Sequence, residues 1–381
     1  MENMKKNLQE AFRKNMRYYT MAAALIAIWL IFTLFTGFIF ISPRNLSNLF
    51  LQTVTVAIVA TGMTLVIVTG NIDLSVGSVA GFAGAVGAVL QVKLGWGTLP
   101  AMAAALSTGL AIGAWHGFWV AYKKVPAFIV TLASMLAFRG AILGVTGGAT
   151  ISPLSESFKV VGGRYLSPAV SGAFALACVV LFIVADLRKR HRRIQYGFAV
   201  PGPGWQAAKL GFFSLVMAAV FSIMIFDQGI PYCVLLLLGI VLVFNFISGH
   251  TIFGRRLYAI GGNADAARLS GIDIEKNILQ LYMIFGVLTA VAGLVLTARL
   301  NAATTSAGIN MELDAIAAAV IGGTSLMGGE GTVVGSVVGA LIMSSLDNGM
   351  SLMNLDITYQ YVVKGLVLLL AVWADIAARR K

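Results

Sequence analysis

Apolar stretches of roughly 17–25 residues, the length a helix needs to cross the hydrocarbon of a bilayer, recur along almost the whole chain. They lie near 20–41, 48–70, 74–92, 99–121, 126–147, 168–186, 208–226, 231–249, 278–298 and 358–377. Two shorter apolar segments, 312–327 and 331–349, sit side by side. They either both cross or form a re-entrant pair, and either choice leaves an even number of crossings with both chain ends on one side. The expected fold is an all-α polytopic membrane protein with about 10–12 transmembrane helices and a short or re-entrant helical pair near 312–349.

Composition agrees. Of 381 residues, 59% are hydrophobic and 11% charged, where soluble domains carry about 25% charged residues. The net charge of +12 would suggest nucleic acid in a soluble protein. Here its placement matters more, because Lys and Arg collect on the cytoplasmic side of membrane proteins. On this layout twenty basic residues fall on one side (Lys5, Lys6, Arg13, Lys14, Arg17, Lys123, Lys124, the cluster Arg188–Arg193, Lys209, Arg255, Arg256, Arg268, Lys276, Arg379, Arg380 and Lys381). Five fall on the other: Arg44, Lys93, Lys159, Arg164 and Arg299. The richer side, with both termini, is assigned to the cytoplasm. The cluster RKRHRR at 188–193 reads as an orientation signal or an anionic-lipid contact.

The basic, mildly amphipathic N-terminus leads into an apolar run of about 22 residues without a small-residue cleavage site, which favours a retained span over a signal peptide. Cys178 and Cys233 lie in apolar segments and read as packing residues. His116, His191 and His250 are scattered, with no metal-ligand spacing. No Ser/His/Asp or Cys/His constellation and no G-x-x-x-x-G-K-[ST] appears, so no metal site, catalytic site or ATP site is expected. The glycines in GEGTVVG (329–335) follow no strand and are a weak nucleotide signal. The whole of 1–381 reads as one membrane domain whose energy comes from elsewhere.

The longest internal stretch unable to sit in lipid is Gly254–Glu275, GRRLYAIGGNADAARLSGIDIE, within a predicted cytoplasmic loop spanning 250–277. Asn263 suits an N-cap, ADAARLS follows, and Gly271 stops the helix. A short helix held between two spans is what a membrane protein needs to receive force from a partner outside the bilayer. Asn263, Asp265, Ala266, Ala267, Arg268 and Gly271 are the candidates for that contact.

Two places could line a solute route. In GNIDLSVG (70–77) an Asn, an Asp and a Ser interrupt apolar sequence. Backbone that breaks at membrane depth must be buried in protein or line a cavity, and an intramembrane carboxylate is expensive unless paired or wet. Asn71, Asp73 and Ser75 are therefore pathway candidates. The alternative is a tight turn with Asp73 capping the next helix. The second place is MELDAIAAAVIGGTSLMGGEG (311–331). Glu312 and Asp314 at a helix start suit its dipole, and the Gly-rich exit places Thr324 and Ser325 between apolar helices. Short, Gly-interrupted segments in two places of a membrane chain point to a substrate route. The two places share a rough shape without amounting to a repeat. Asp347 and Asn348 are candidates for an outer vestibule. Arg139 could pair with an acidic group such as Asp73, and Lys364 could snorkel. Small-residue ridges at Gly109, Gly113, Gly117 and at Gly331, Gly335, Gly339 allow close helix approach. They suit contacts within the chain or between two copies, the former favoured because most helix contacts in a large bundle are internal.

Asp265-Ala266-Ala267-Arg268-Leu269-Ser270-Gly271 resembles the Glu-Ala-Ala…Gly signature loop of permease subunits of ATP-binding-cassette importers, with Asp in place of Glu and without the Ile-x-Leu-Pro that usually follows. GRRLYAIGGNADAARLSGI, ELDAIAAAVIGGTSLMGG, NIDLSVGS and SLDNGMSLM extend the resemblance to the monosaccharide branch, which includes the ribose, xylose and galactose systems. An additional helix pair near 168–226 is similar to the xylose-type members. The resemblance implies a second copy of this permease in a homodimer, a cytoplasmic ATPase subunit that binds the ATP and Mg (no cofactor being held by this chain), and an extracytoplasmic sugar-binding protein. Asp265–Gly271 would be the coupling helix. A monosaccharide would pass by alternating access with few tight contacts. The same fold could serve a branched-chain amino acid or a nucleoside. An ion-driven secondary transporter would need a chain of intramembrane ionisable groups, and a membrane enzyme would need a catalytic constellation; neither is evident.

Overall fold

The computed structural model describes residues 2–198, 200 and 202–379; the side chains of 2–18, 374, 375, 378 and 379 lie outside that description. So do Arg380 and Lys381, and with them several of the terminal basic residues used to orient the chain. Fifteen helices account for nearly everything described: α1 (Glu2–Phe35), α2 (Pro43–Val68), α3 (Val76–Val92), α4 (Thr98–Gly117), α5 (Ala127–Thr146), α6 (Glu156–Gly163), α7 (Pro168–Gln195), α8 (Pro203–Asp227), α9 (Tyr232–His250), α10 (Ile252–Gly262), α11 (Ala264–Leu269), α12 (Ile274–Leu300), α13 (Met311–Ile321), α14 (Val333–Leu352) and α15 (Ile357–Arg379). A π-helical turn, Phe118–Tyr122, continues α4. Among the described residues eight helices are long and apolar enough to cross a membrane, and Tyr19–Phe35, Val76–Val92 and Ile357–Trp373 are shorter apolar helices.

The helices α2 and α12 form the centre, with 89% and 78% of their apolar windows buried. Glycine ridges bring the neighbours in. Gly109, Gly113 and Gly117 of α4 abut Gly286, Tyr282 and Leu279 of α12, where an added Cβ would strike backbone. Gly335 and Gly339 of α14 meet Gly322 and Ala318 in the same way. Both ridges therefore serve packing within the chain. At the end of the bundle opposite α10–α11, Asn45 and Asn348 exchange amide hydrogen bonds of 2.8 and 3.1 Å between α2 and α14. The pair α7–α8 packs as a hairpin (Phe174 and Phe221 rings 6.1 Å apart), but only 6% and 11% of its apolar windows are buried, so it lies at the periphery.

Two passages are broken. Helix α13 has 11 residues and spans only about 16 Å, too short to cross alone, whereas α14 has 20, about 30 Å. The non-helical segment 301–310 precedes α13. It starts beside Ile151, which bridges to Ala303, and reaches the middle of α5, where Arg139 Nη1 donates to the Ala307 carbonyl at 2.9 Å. Segment 301–310 and α13 together make one passage and α14 makes the next, so the short helical pair expected near 312–349 is a half-length helix completed by extended chain, followed by a full-length one. The second break is 69–75, before α3. Gly77 and Gly308 meet where the breaks cross, each Cα against the other's carbonyl, with no room for a Cβ at either.

Candidate functional site

Non-helical backbone at membrane depth has to find partners inside the protein, and the polar residues of both breaks are used largely for this. Asp73 is 2% exposed; its Oδ1 accepts from the Ser75 N–H at 2.8 Å and the Ser75 hydroxyl at 2.6 Å, turning the chain into α3. The Leu74 N–H donates to Thr131 Oγ1 at 3.1 Å. Asn71 donates to Thr69 Oγ1 at 2.9 Å. Arg139 forms no ion pair with Asp73: its Nη1 donates to the Ala307 carbonyl, and the acidic group it interacts with is Glu312. The neighbour of Asp73 is instead His116, with Nδ1 3.7 Å from Oδ2, both buried. Tyr282 closes this polar pocket. Nothing in the sequence placed His116 beside Asp73, since the two are joined only through the α3–α4 packing.

Around the second break, Glu312 and Asp314 stand in the first turn of α13, both buried. Lys364 of α15 does not snorkel: its Nζ lies 3.1 Å from Asp314 Oδ2 and 2.8 Å from Asp347 Oδ2, bridging α13, α14 and α15. Asn348, one residue on, is turned into the buried pair with Asn45. Thr324 and Ser325 are fully buried; Thr324 Oγ1 lies 3.5 Å from Thr64 Oγ1, and Ser325 Oγ accepts from the Met327 N–H. Of the sequence candidates, then, the structure brings Asp314 and Asp347 together, sets Glu312 at the Gly77–Gly308 crossing, and leaves Asn71, Asp73 and Ser75 in the other break.

The exposed end is built around α10 and α11. Asn263 caps α11, its Oδ1 accepting from the Ala266 N–H at 2.9 Å. Gly271, at φ +80°, lets the chain leave in the left-handed region, which costs a side-chain-bearing residue strain. Asp265, Ala266 and Arg268 are exposed, and Ala267 is buried against the body. Glu275 receives Arg268 at 2.9 Å and Lys124 at 2.5 Å, tying α11 to α12 and to the turn before α5. Leu269 is 90% exposed and Met327 77%; the sequence reading passed over both, although an apolar residue closing a polar six-residue helix was a visible signal. Behind α11, α10 is wedged into the bundle. Gly261 lies against the Val68 carbonyl with no space for a Cβ, the Gly329 N–H donates to that carbonyl at 2.8 Å, and Tyr258 donates to the Gly331 carbonyl at 2.8 Å.

Long crossing helices, two passages broken at mid-depth and a polar helix displayed at one end define a multi-pass α-helical membrane permease. The comparisons with known proteins agree. Residues 45–372 match the family described as "Branched-chain amino acid transport system / permease component". The chain is 46% identical over 367 residues to the xylose transport system permease protein XylH of Escherichia coli K12, covering 96% of this chain and 93% of that protein. It is 44% identical to the XylH protein of Haemophilus influenzae, covering 96% and 98%, and 38% identical over 368 residues to the ribose import permease protein RbsC of E. coli K12, covering 94% and 96%. No solved structure matches. The chain belongs to this permease family.

Proposed function

We propose that this chain is the membrane permease subunit of an ATP-binding-cassette importer that carries a monosaccharide, xylose or a related pentose or hexose, into the cytoplasm. The observation that carries this reading is identity of 44–46% to two xylose permeases over 96% of the chain. The chain holds no ATPase site of its own; ATP and Mg belong to a partner subunit that docks on α10–α11 at the cytoplasmic face. Both termini share that face, in a cell inner membrane. A sugar-binding protein delivers substrate to the opposite face. A second copy completes the pathway. Gly140 and Gly144, four residues apart on α5 with nothing within 4 Å of either, offer the small-residue surface that such helix contacts use.

The mechanism is alternating access. Closure of the ATPase pair moves α10–α11. Through Gly261, Val68 and Gly329 that displacement reaches the ends of α2 and of the 322–332 turn, and so both broken passages. Intact helices resist bending, whereas a break concentrates motion in a few residues.

The test is uptake of labelled xylose into proteoliposomes holding the permease, its ATPase and its binding protein. Uptake should require internal ATP and persist with ion gradients collapsed. Uptake driven by an ion gradient without ATP would point to a secondary transporter, and uptake of leucine or uridine in place of sugars would point to another solute.

A further inference from the structure

Three buried polar atoms without a hydrogen-bond partner in the protein, Thr55 Oγ1, Asp314 Oδ1 and Asp347 Oδ1, belong to residues lining one cavity of about 310 Å³ between α2, α12, α13, α14 and α15. Native proteins rarely leave buried polar atoms unpaired, and here they converge. Thr55 is 4% exposed and Asp314 8%. The arrangement of the ion triad explains the orphaned oxygens. Lys364 takes the Oδ2 atom of each carboxylate and so leaves both Oδ1 atoms needing donors. Gln52 and Ser344 line the same space. The cavity lies about 10–15 Å inward of the Asn45–Asn348 tie, counting 1.5 Å per residue along α2 from Asn45 to Gln52 and Thr55.

We infer that this cavity is a binding site for a neutral polyhydroxylated ligand, a monosaccharide in transit, with the Asp314 and Asp347 carboxylates accepting from its hydroxyls and Thr55 completing the set. This rests on the sugar-importer reading above and assigns the substrate contact within it. The charges favour a neutral guest: Asp314 and Asp347 are balanced by Lys364 and by Arg299, which also lines the cavity. A cation would meet two fixed positive groups, and an anion two carboxylates. The volume is near the lower end for small-molecule sites and equals about ten water volumes at roughly 30 Å³ each, close to the ten non-hydrogen atoms of a pentose.

The test uses Gln52→Cys in a Cys178→Ala background, leaving the buried Cys233 in place, with the complete transporter in lipid. Xylose should slow labelling of the new thiol by a methanethiosulfonate reagent, and leucine should not. Thr55→Val and Asp347→Asn should each raise the half-protecting xylose concentration about fivefold, the effect of one lost hydrogen bond. If Asp347→Asn fails to insert, Thr55→Val and Ser344→Ala carry the measurement. If the wild-type complex imports no xylose but another monosaccharide protects the thiol, the cavity assignment stands and the choice of substrate falls. If neither xylose nor any other monosaccharide protects the thiol, or if leucine or uridine does so instead, the assignment is overturned whatever the complex transports.

Discussion

Leu269 gives the sharpest way to separate a docking surface from a folding contact. It closes α11 at 90% exposure, so its side chain contributes almost nothing to the stability of the permease alone. Fully burying a leucine is worth about 1.5–3 kcal/mol. If the ATPase covers the exposed nine-tenths, Leu269→Asp removes about 1.4–2.7 kcal/mol of association free energy, before any cost of burying the new carboxylate, which is about a ten- to hundredfold rise in Kd. The assay is titration of the ATPase onto the permease in nanodiscs, with thermal unfolding of each permease variant measured in parallel. The expected result is weakened docking at an unchanged Tm. An unchanged Kd would show that the partner does not cover Leu269, and a lowered Tm would show that the side chain supports the fold after all. Either outcome refutes the reasoning.

Other consequences can be checked on the same preparations. Gly113→Val drives a side chain into the Tyr282 backbone and should destabilise by about 1–3 kcal/mol, the usual range for overpacking, whereas Gly239→Val, with nothing within 4 Å, should leave the Tm near wild type. Asn45→Ala strands the buried Asn348 amide and should cost about 1–3 kcal/mol; replacing both residues with leucine should recover much of the loss in thermal unfolding. Gly271→Ala forces a side chain to φ +80° and should cost about 1 kcal/mol locally, read as faster hydrogen exchange across 264–271; uptake is expected to fall while the protein remains inserted. Glu275→Gln breaks two largely exposed ion pairs, each worth at most about 1 kcal/mol, so stability should change little and become less salt-dependent.

The long spans were legible because lipid imposes a length and polarity that no tertiary contact overrides. The predicted 126–147 and 231–249 differ from the observed helices by about a residue at each end. The first break was legible as well, since Asn71, Asp73 and Ser75 interrupt apolar sequence. The second was placed too late, at the glycines after α13, because 301–310 reads as an ordinary external loop. Its signal was a run of small and polar residues between Asn301 and Asn310, which both adopt left-handed backbone, φ 52° and 62°, with Gly308 between them. The pairings Asp73–His116, Asn45–Asn348 and Lys364 with Asp314 and Asp347 were not legible. Each joins residues that no periodicity or spacing relates, and only the packing of α2, α4, α13, α14 and α15 brings them within reach.

The two breaks also explain why so polar a set of side chains sits inside so apolar a bundle. Segment 69–75 leaves the α10 end and rises to Gly77; segment 301–310 leaves the opposite end and descends to Gly308. The half-helices α3 and α13 therefore start back to back at one depth and run to opposite faces. Each start presents unpaired N–H groups, and the carboxylates Asp73, Glu312 and Asp314 stand beside them, where the positive ends of the half-helices favour negative charge. Thr131 and Arg139, both on α5, then serve one break each, through the Leu74 N–H and the Ala307 carbonyl. A displacement that parts Gly77 from Gly308 has to pull both α5 contacts with it. Cross-linking α5 to α3, for instance through Phe82→Cys and Phe138→Cys, whose rings now lie 5.4 Å apart, should leave ATPase docking intact and stop uptake if parting Gly77 from Gly308 requires α3 to move against α5. Uptake at the wild-type rate in the cross-linked protein would mean that α3 and α5 travel together, and the hinge would have to be sought at the α10 end instead.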